Sequence, residues 1–138
     1  KVFATPGWRV IKDRGSLLIE PVQEAVKPLL EIKEHPYTPD FMIPRDKATA
    51  CFDADKLQHP LSLRLCRQGD SFVPFGMKGR KKVSDYLTDR KFSLLRKERQ
   101  WVLCCGDDII WLVGERADNR FRIDEKTRKV LVVSTTGQ

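Results

Sequence analysis

The sequence predicts an α+β, β-rich domain in which antiparallel, β-sandwich-like sheets carry two short helices after a Gly-Met-Lys-Gly turn. Two observations predict this class. Short β-prone runs bounded by turn-forming residues recur along the whole chain, whereas apolar residues at helical spacing occur only between residues 81 and 100. Helices confined to one stretch cover part of a sheet instead of alternating with its strands.

The first third of the chain is predicted to consist of strands. Residues 8–12 and 17–20 are β-prone runs, and the turn-forming tetrapeptide at 13–16 predicts a hairpin between them. Residues 26–32 predict a further strand. Three prolines between positions 36 and 44 then indicate an extended connection, because proline restricts its own backbone and that of the preceding residue.

The middle of the chain predicts two more strands and both helices. Residues 48–52 form one strand, and leucines alternate with other residues over 61–65, which would aim Arg64 outward. Apolar residues spaced i, i+3 and i+4 predict a helix over about 81–89. Ser93 is a suitable N-cap for a second helix over 94–100.

The last third returns to strands. Apolar runs at 101–105 and 109–113 are separated by Gly106-Asp107-Asp108, which is typical of a hairpin. Residues 119–123 and 129–133 continue the β pattern to the end of the chain.

Size and composition indicate one domain, residues 1–138, with enough apolar residues for a core: 41% of the 138 residues are hydrophobic. No apolar run approaches the roughly 20 residues that span a bilayer, and the amino terminus lacks a signal-peptide pattern. We therefore expect a cytoplasmic protein without a membrane segment. Because the chain begins at Lys1, we also expect it to be a fragment of a longer protein.

No residue pattern predicts a catalytic group or a metal site. His35 and His59 each precede a proline and have no partner at a suggestive spacing, so surface positions are expected. The short Asp pairs are explained by turns. The cysteines lack paired CxxC spacing, two are adjacent and would face opposite sides of a strand, and reduced thiols are expected at Cys51, Cys66, Cys104 and Cys105.

Charge is distributed unevenly along the chain. Residues 1–63 hold nine Lys and Arg against nine Asp and Glu, whereas residues 64–138 hold seventeen against ten, so the whole net charge of +7 lies in the second half. This asymmetry predicts that one region of the molecule binds a polyanionic partner.

The segment 75–82 is the strongest candidate for that contact. Gly76 and Gly79 would permit close backbone approach, and a helix opening from this turn would direct unpaired N–H groups and the positive end of its dipole at an anion. Four cations lie in the same stretch, and cations at a helix N-terminus are locally unfavourable unless an external anion offsets them. A solvated basic turn remains the alternative.

The same segment resembles the C-terminal domain of the tRNA(Ile)-lysidine synthetase family. The similarity rests on two basic residues, Arg64 and Arg67, followed by Gly69-Asp70-Ser71-Phe72 and by Pro74-Phe75-Gly76-Met77-Lys78-Gly79 with Lys81, Lys82, Asp85, Tyr86 and Leu87. Residues 52–57, 109–114 and 116–121 are similar to further family motifs. The strong part of the resemblance covers residues 52–133, and residues 1–50 form a β-rich lead-in that matches loosely. Departures occur at Phe92-Ser93, Gln100-Trp101, Ala117 and Asn119.

This resemblance implies a function for the chain. Family members use ATP to adenylate the wobble cytidine of tRNA(Ile) and then join lysine to it, in an N-terminal domain with a Ser-Gly-Gly-x-Asp-Ser loop that is absent here. ATP and Mg²⁺ are therefore expected in that catalytic domain, and no catalytic residue or cofactor is expected in this chain. The resemblance implies that this part contacts the acceptor stem.

The cations predicted to face tRNA form a main group and a weaker second group. The main group is Arg64, Arg67, Lys78, Arg80, Lys81, Lys82, Lys91, Arg96 and Arg99, and the second is Arg116, Arg120 and Arg122. Engagement of about five phosphates would give a slope of roughly −3 to −4 in log affinity against log salt. Two alternatives stay open: a stand-alone RNA-binding module, and an interaction domain that docks an acidic protein or pairs two copies of the parent.

Overall fold

The computed structural model describes residues 8–13, 16–21, 27–44 and 46–136. The strands of this described part are β1 (Trp8–Asp13), β2 (Ser16–Pro21), β3 (Leu29–Pro36), β4 (Thr49–Asp53), β5 (Leu61–Leu65), β6 (Ser71–Phe72), β7 (Lys81–Lys82), β8 (Trp101–Cys105), β9 (Asp108–Leu112), β10 (Arg116–Ala117) and β11 (Lys129–Thr136). The helices are α1 (Val83–Asp89) and α2 (Leu94–Glu98), and short 3₁₀ turns lie at Ala54–Lys56 and Asn119–Phe121.

Two antiparallel sheets form the sandwich. The central sheet has the order β10-β9-β8-β5, and the second has the order β3-β11-β4. β1 and β2 pair as the hairpin that the sequence predicted, although residues 14–15 of its turn and Val26 of the predicted third strand lie outside the described residues. β6 and β7 form a small ribbon next to the helices.

The central sheet is buried on both faces, which explains the continuous apolar run of β8. Val102 and Cys104 pack toward α1, whereas Leu103 and Cys105 pack toward the second sheet. The prediction that the adjacent cysteines face opposite sides is therefore confirmed. A strand between two apolar layers needs apolar residues at every position, since successive side chains point to opposite faces.

The helical layer is short and rests on one face of the central sheet. Val83, Tyr86 and Leu87 are the buried residues of α1, as their spacing predicted. Complete burial of a side chain such as Leu87 contributes about 1.5–3 kcal/mol. The Ser93 hydroxyl accepts a hydrogen bond from the Arg96 N–H at 3.2 Å, which confirms the predicted N-cap of α2.

Three sequence predictions were wrong in detail. The third strand begins at Leu29 and continues to Pro36, because β11 offers it a partner along its whole length. Residues 119–121 form a 3₁₀ turn instead of a strand, since the Asp118 carboxylate caps the Arg120 N–H at 2.7 Å. The helix starts at Val83 and does not open from the glycine turn, because β7 pairs with β6 in between.

Candidate nucleic-acid interface

The Gly-Met-Lys-Gly turn is fixed to the edge of the central sheet. The Met77 N–H donates to the Pro74 carbonyl at 2.9 Å, and Gly76 has a φ of +87°, which the third position of such a turn requires. The Phe75 N–H donates to the Ala117 carbonyl at 3.0 Å. The Gly76 N–H donates to Oδ1 of Asn119 at 3.1 Å. The turn is therefore held by its backbone, and its side chains are left for other contacts.

Arg64 does not point freely outward as the strand alternation predicted. Its two terminal nitrogens donate to the two carboxylate oxygens of Asp70 at 2.9 and 3.0 Å, and the side chain is only 24% exposed. Burial acts to raise the pKa of Asp70, but hydrogen bonds from Arg64 and from the backbone N–H of Arg67 outweigh it and hold that pKa below its ordinary value. This pair fixes the end of β5 to the start of β6.

Arg120 is also committed to a contact inside the protein. Its Nε and one terminal nitrogen donate to Asp118, whose side chain is fully buried, at 3.0 and 2.9 Å. Asp118 also accepts the Val73 N–H at 3.0 Å, and Asp108 lies 3.5 Å from the Arg120 guanidinium. A bidentate pair on a buried carboxylate has a structural role, since removing one partner would leave an uncompensated charge.

Other predicted cations have weaker attachments. Lys81 forms an ion pair with Asp89, whose side chain is largely exposed. Arg80 donates to the Ser71 hydroxyl at 3.0 Å, and Arg96 stacks on the Phe92 ring at 3.8 Å. Arg80 and Arg96 remain exposed, whereas the Lys81 side chain is 30% exposed and its partner Asp89 is 65% exposed.

A set of exposed cations belongs to the helical layer and the ribbon beside it. Within the described part of the chain none of them forms an ion pair; we call them the helix-side cations, and they are Arg67, Arg80, Lys82, Lys91 and Arg96. Two contacts join the end of β5 to the end of α2: the Cys66 N–H donates to the Gln100 carbonyl at 2.8 Å, and the Cys66 thiol to the Lys97 carbonyl at 3.1 Å. Arg67 therefore lies beside the last turn of α2.

The remaining predicted residues are spread more widely. Lys78 is exposed in the glycine turn, and Arg99 is half-buried at the end of α2. Arg116 lies 5.9 Å from the Tyr86 ring, at the β10 edge. Arg122 donates to the Asn119 carbonyl, and its own carbonyl accepts from Lys56 of the first 3₁₀ turn, so it lies apart from the helix-side cations.

The described residues contain no grouping of three or more His, Cys, Asp or Glu that could hold a metal ion. Burial, with a smaller effect of Asp46, raises the pKa of the Cys51 thiol to about 11, and burial also raises the pKa of Cys66 and of Cys104. These thiols are protonated at neutral pH, which is unsuitable for a nucleophile. Among the described helices none has the length and apolar character needed to cross a membrane.

Sequence reasoning missed two residues that bear on this surface. Arg90 forms an ion pair with Glu115 at 2.8 Å and so joins α1 to the β10 edge. Phe75 is 54% exposed although the turn around it is fixed. Hydrophobicity alone would place a phenylalanine in the core, so the exposure of Phe75 could be seen only in the folded structure.

The fold and the charge distribution define a basic, strand-rich α+β domain with a cationic helical layer. A family model described as the TilS substrate C-terminal domain matches residues 61–133, and the chain belongs to this family. The resemblance that the glycine-turn motif predicted is thereby confirmed.

Two relatives of similar sequence carry the same name. A protein of Bacteroides thetaiotaomicron named tRNA(Ile)-lysidine synthase is 60% identical over 136 residues, which cover 96% of this chain and 32% of the relative. A protein of Parabacteroides distasonis with the same name is 47% identical over 152 residues, covering 99% of this chain and 35% of the relative. The chain thus spans about a third of the length of these relatives.

Solved structures share the fold. The crystal structure of a TILS C-terminal domain superposes with a TM-score of 0.63 at 19% identity, covering 79% of this chain and 85% of that one. An N-terminal fragment of the phenylalanyl-tRNA synthetase β-subunit from Pyrococcus horikoshii gives a TM-score of 0.55 at 18% identity, covering 63% of this chain and 27% of that one. The predicted class of antiparallel sheets with two short helices is confirmed.

Proposed function

We propose that this chain is the noncatalytic tRNA-holding part of an ATP-dependent ligase that joins lysine to the wobble cytidine of tRNA(Ile). The proposal rests on one observation: some cations of the chain are paired inside the protein, and others are exposed. Arg64 and Arg120 are neutralised by carboxylates inside the protein, whereas the helix-side cations are exposed and form no ion pair in the described part. The name shared by the relatives is consistent with this role.

An RNA stem suits such a surface. The deep major groove of A-form RNA is closed to side chains, so stems are recognised mainly through phosphates and 2′-hydroxyls. Lys and Arg on a rigid layer can match the spacing of phosphates without reading bases. The acceptor stem of tRNA(Ile) is the proposed contact, while ATP, Mg²⁺ and lysine would bind in a catalytic domain of the same cytoplasmic protein.

The test is a binding titration of the 138-residue chain with tRNA(Ile) and tRNA(Met) at several salt concentrations. Replacement of Arg67 and Lys82 by Ala should weaken binding about tenfold or more and reduce the salt slope by about two. The matched control removes two exposed cations of the second sheet and its flanking turn, Lys129 and Lys126, which also form no ion pair in the described part, and it should leave affinity nearly unchanged. Equal losses in the two double variants would contradict the proposed surface.

The two alternatives make different predictions. A stand-alone RNA-binding module would have no phosphate-loop domain encoded upstream in the same reading frame. An interaction domain, whether for an acidic protein or for a second copy of the chain, would keep its protein partner in the presence of excess tRNA. Competition by tRNA for the helix-side cations would argue against the interaction domain, and the upstream reading frame then separates the two RNA-binding roles.

A further inference from the structure

A cleft of about 570 Å³ lies between the glycine turn and the segment that leads into β4. Phe75 and Ala117 line it on the side of the turn, Ile43 and Thr49 line it on the other side, and the fully buried Trp111 contributes to its floor. This volume falls in the range of about 300–1,000 Å³ that holds small ligands. The cleft is therefore large enough for one planar group with a charged substituent.

Phe75 lines this cleft from a backbone that is held by hydrogen bonds. Its own N–H and that of Gly76 are bonded to the 117–119 segment, and the Met77 N–H closes the turn on Pro74. The ring is nevertheless 54% exposed. An exposed aromatic ring on a hydrogen-bonded turn is a suitable stacking platform, since a phenylalanine side chain has only two χ angles to order when a planar partner covers it.

The charges around the cleft favour an anion. Lys47 and Arg116 line it, and neither forms an ion pair within the described residues. Of the two carboxylates in the lining, Glu115 is already neutralised by Arg90 at 2.8 Å, and Asp46 has no ion-pair partner in the described part. The Cys51 thiol at the cleft is uncharged at neutral pH. Among the described lining residues, two cations without an ion pair thus face one carboxylate without one.

We propose that this cleft takes one unpaired nucleotide of a bound RNA, with its base stacked on Phe75 and its phosphate near Lys47 and Arg116. The proposal rests on the proposed RNA-binding function and deepens it. A base pair within a duplex cannot expose its face to the ring, so the nucleotide must come from a single-stranded end or a bulge. The helix-side cations would hold the stem, and the cleft would distinguish a stem with an unpaired extension from a blunt one.

The experiment compares two RNA hairpins with the same stem, one blunt and one with a single-stranded 3′ extension of four nucleotides. The 138-residue chain should bind the extended hairpin about tenfold more tightly, in keeping with the contribution of one stacked base. Phe75→Ala should remove this preference while leaving the affinity for the blunt hairpin unchanged. Phe75→Trp should restore it, because tryptophan offers a larger stacking face.

Leu94→Ala is the matched control, since Leu94 is another exposed apolar residue, 37% exposed, on α2. It should leave the preference intact. If the chain binds both hairpins equally, or if Phe75→Ala weakens both by the same factor, the cleft has no such role although the RNA-binding function stands. If neither hairpin binds with salt-dependent affinity, the proposed function fails and this inference fails with it.

Discussion

Arg64 and Asp70 form a bidentate ion pair across the turn between β5 and β6, with nitrogen–oxygen distances of 2.9 and 3.0 Å. The Asp70 side chain is 13% exposed, and it also accepts the Arg67 N–H. The carboxylate thus holds one predicted RNA contact inside the protein and fixes the backbone of another. A single residue thereby determines which arginine remains available to a ligand.

Asp70→Asn should lower the free energy of unfolding by about 2 kcal/mol at neutral pH, because hydrogen bonds to a charged group are lost in a half-buried site. Urea denaturation of wild type and variant measures this difference in the free energy of unfolding. The pKa of Asp70 is lower in the folded state, so its contribution is complete above the unfolded pKa of about 3.9 and is lost as the pH falls through the folded value. The difference between wild type and variant should therefore shrink only in acid.

Asp89→Asn is the comparison for that variant. Asp89 pairs with Lys81, but its side chain is 65% exposed. Exposed ion pairs contribute about 0–1 kcal/mol, so this variant should unfold almost like wild type at neutral pH. A loss as large as that of Asp70→Asn would show that exposure does not separate the two pairs.

Lys91→Gly should raise stability and weaken tRNA binding at the same time. Lys91 has a φ of +67° just after α1, where the Lys91 N–H bonds to the Thr88 carbonyl and the Phe92 N–H to the Leu87 carbonyl. These two hydrogen bonds are those of a Schellman motif, in which glycine is the preferred residue at the position of Lys91. The substitution should therefore raise the free energy of unfolding by about 1 kcal/mol. Lys91→Ala removes the same charge without relieving the backbone. It should match Lys91→Gly in tRNA affinity and not in the urea midpoint.

Lys82→Ala should reduce tRNA affinity more than Lys81→Ala does. Lys82 is exposed and forms no ion pair in the described part of the chain, whereas Lys81 is paired with Asp89. A lysine without an ion pair can neutralise one phosphate and release the counterion bound there. Its loss should therefore lower the slope of log affinity against log salt by about one. Equal slopes for the two variants would indicate that the Lys81 pair opens in the complex.

Arg120→Ala should lower stability by about 3 kcal/mol and leave the tRNA affinity of the folded protein unchanged. The variant leaves Asp118 buried without its cation. Arg122→Ala is the control, because Arg122 is exposed and contacts only a carbonyl among the described residues. It should change stability by less than about 0.5 kcal/mol. Affinity is measured at a temperature where all three proteins are folded.

Local sequence patterns predicted most of the elements. Ser93 marked the start of α2, and the spacing of Val83, Tyr86 and Leu87 gave the buried face of α1. These two predictions succeeded because a helix cap and a buried helix face depend on residues only a few positions apart in the sequence. β10 was missed because two residues are too few to show alternation.

By itself the sequence determined the class of fold, the family motif and the concentration of positive charge in the second half, because composition and short-range spacing are properties of the chain. Only the tertiary structure decided which cations are available. Arg64 lies six positions from Asp70, and Arg120 meets Asp108 twelve positions away across the sheet. Pairing of opposite charges depends on distance and burial in space, and neither can be obtained from the order of residues.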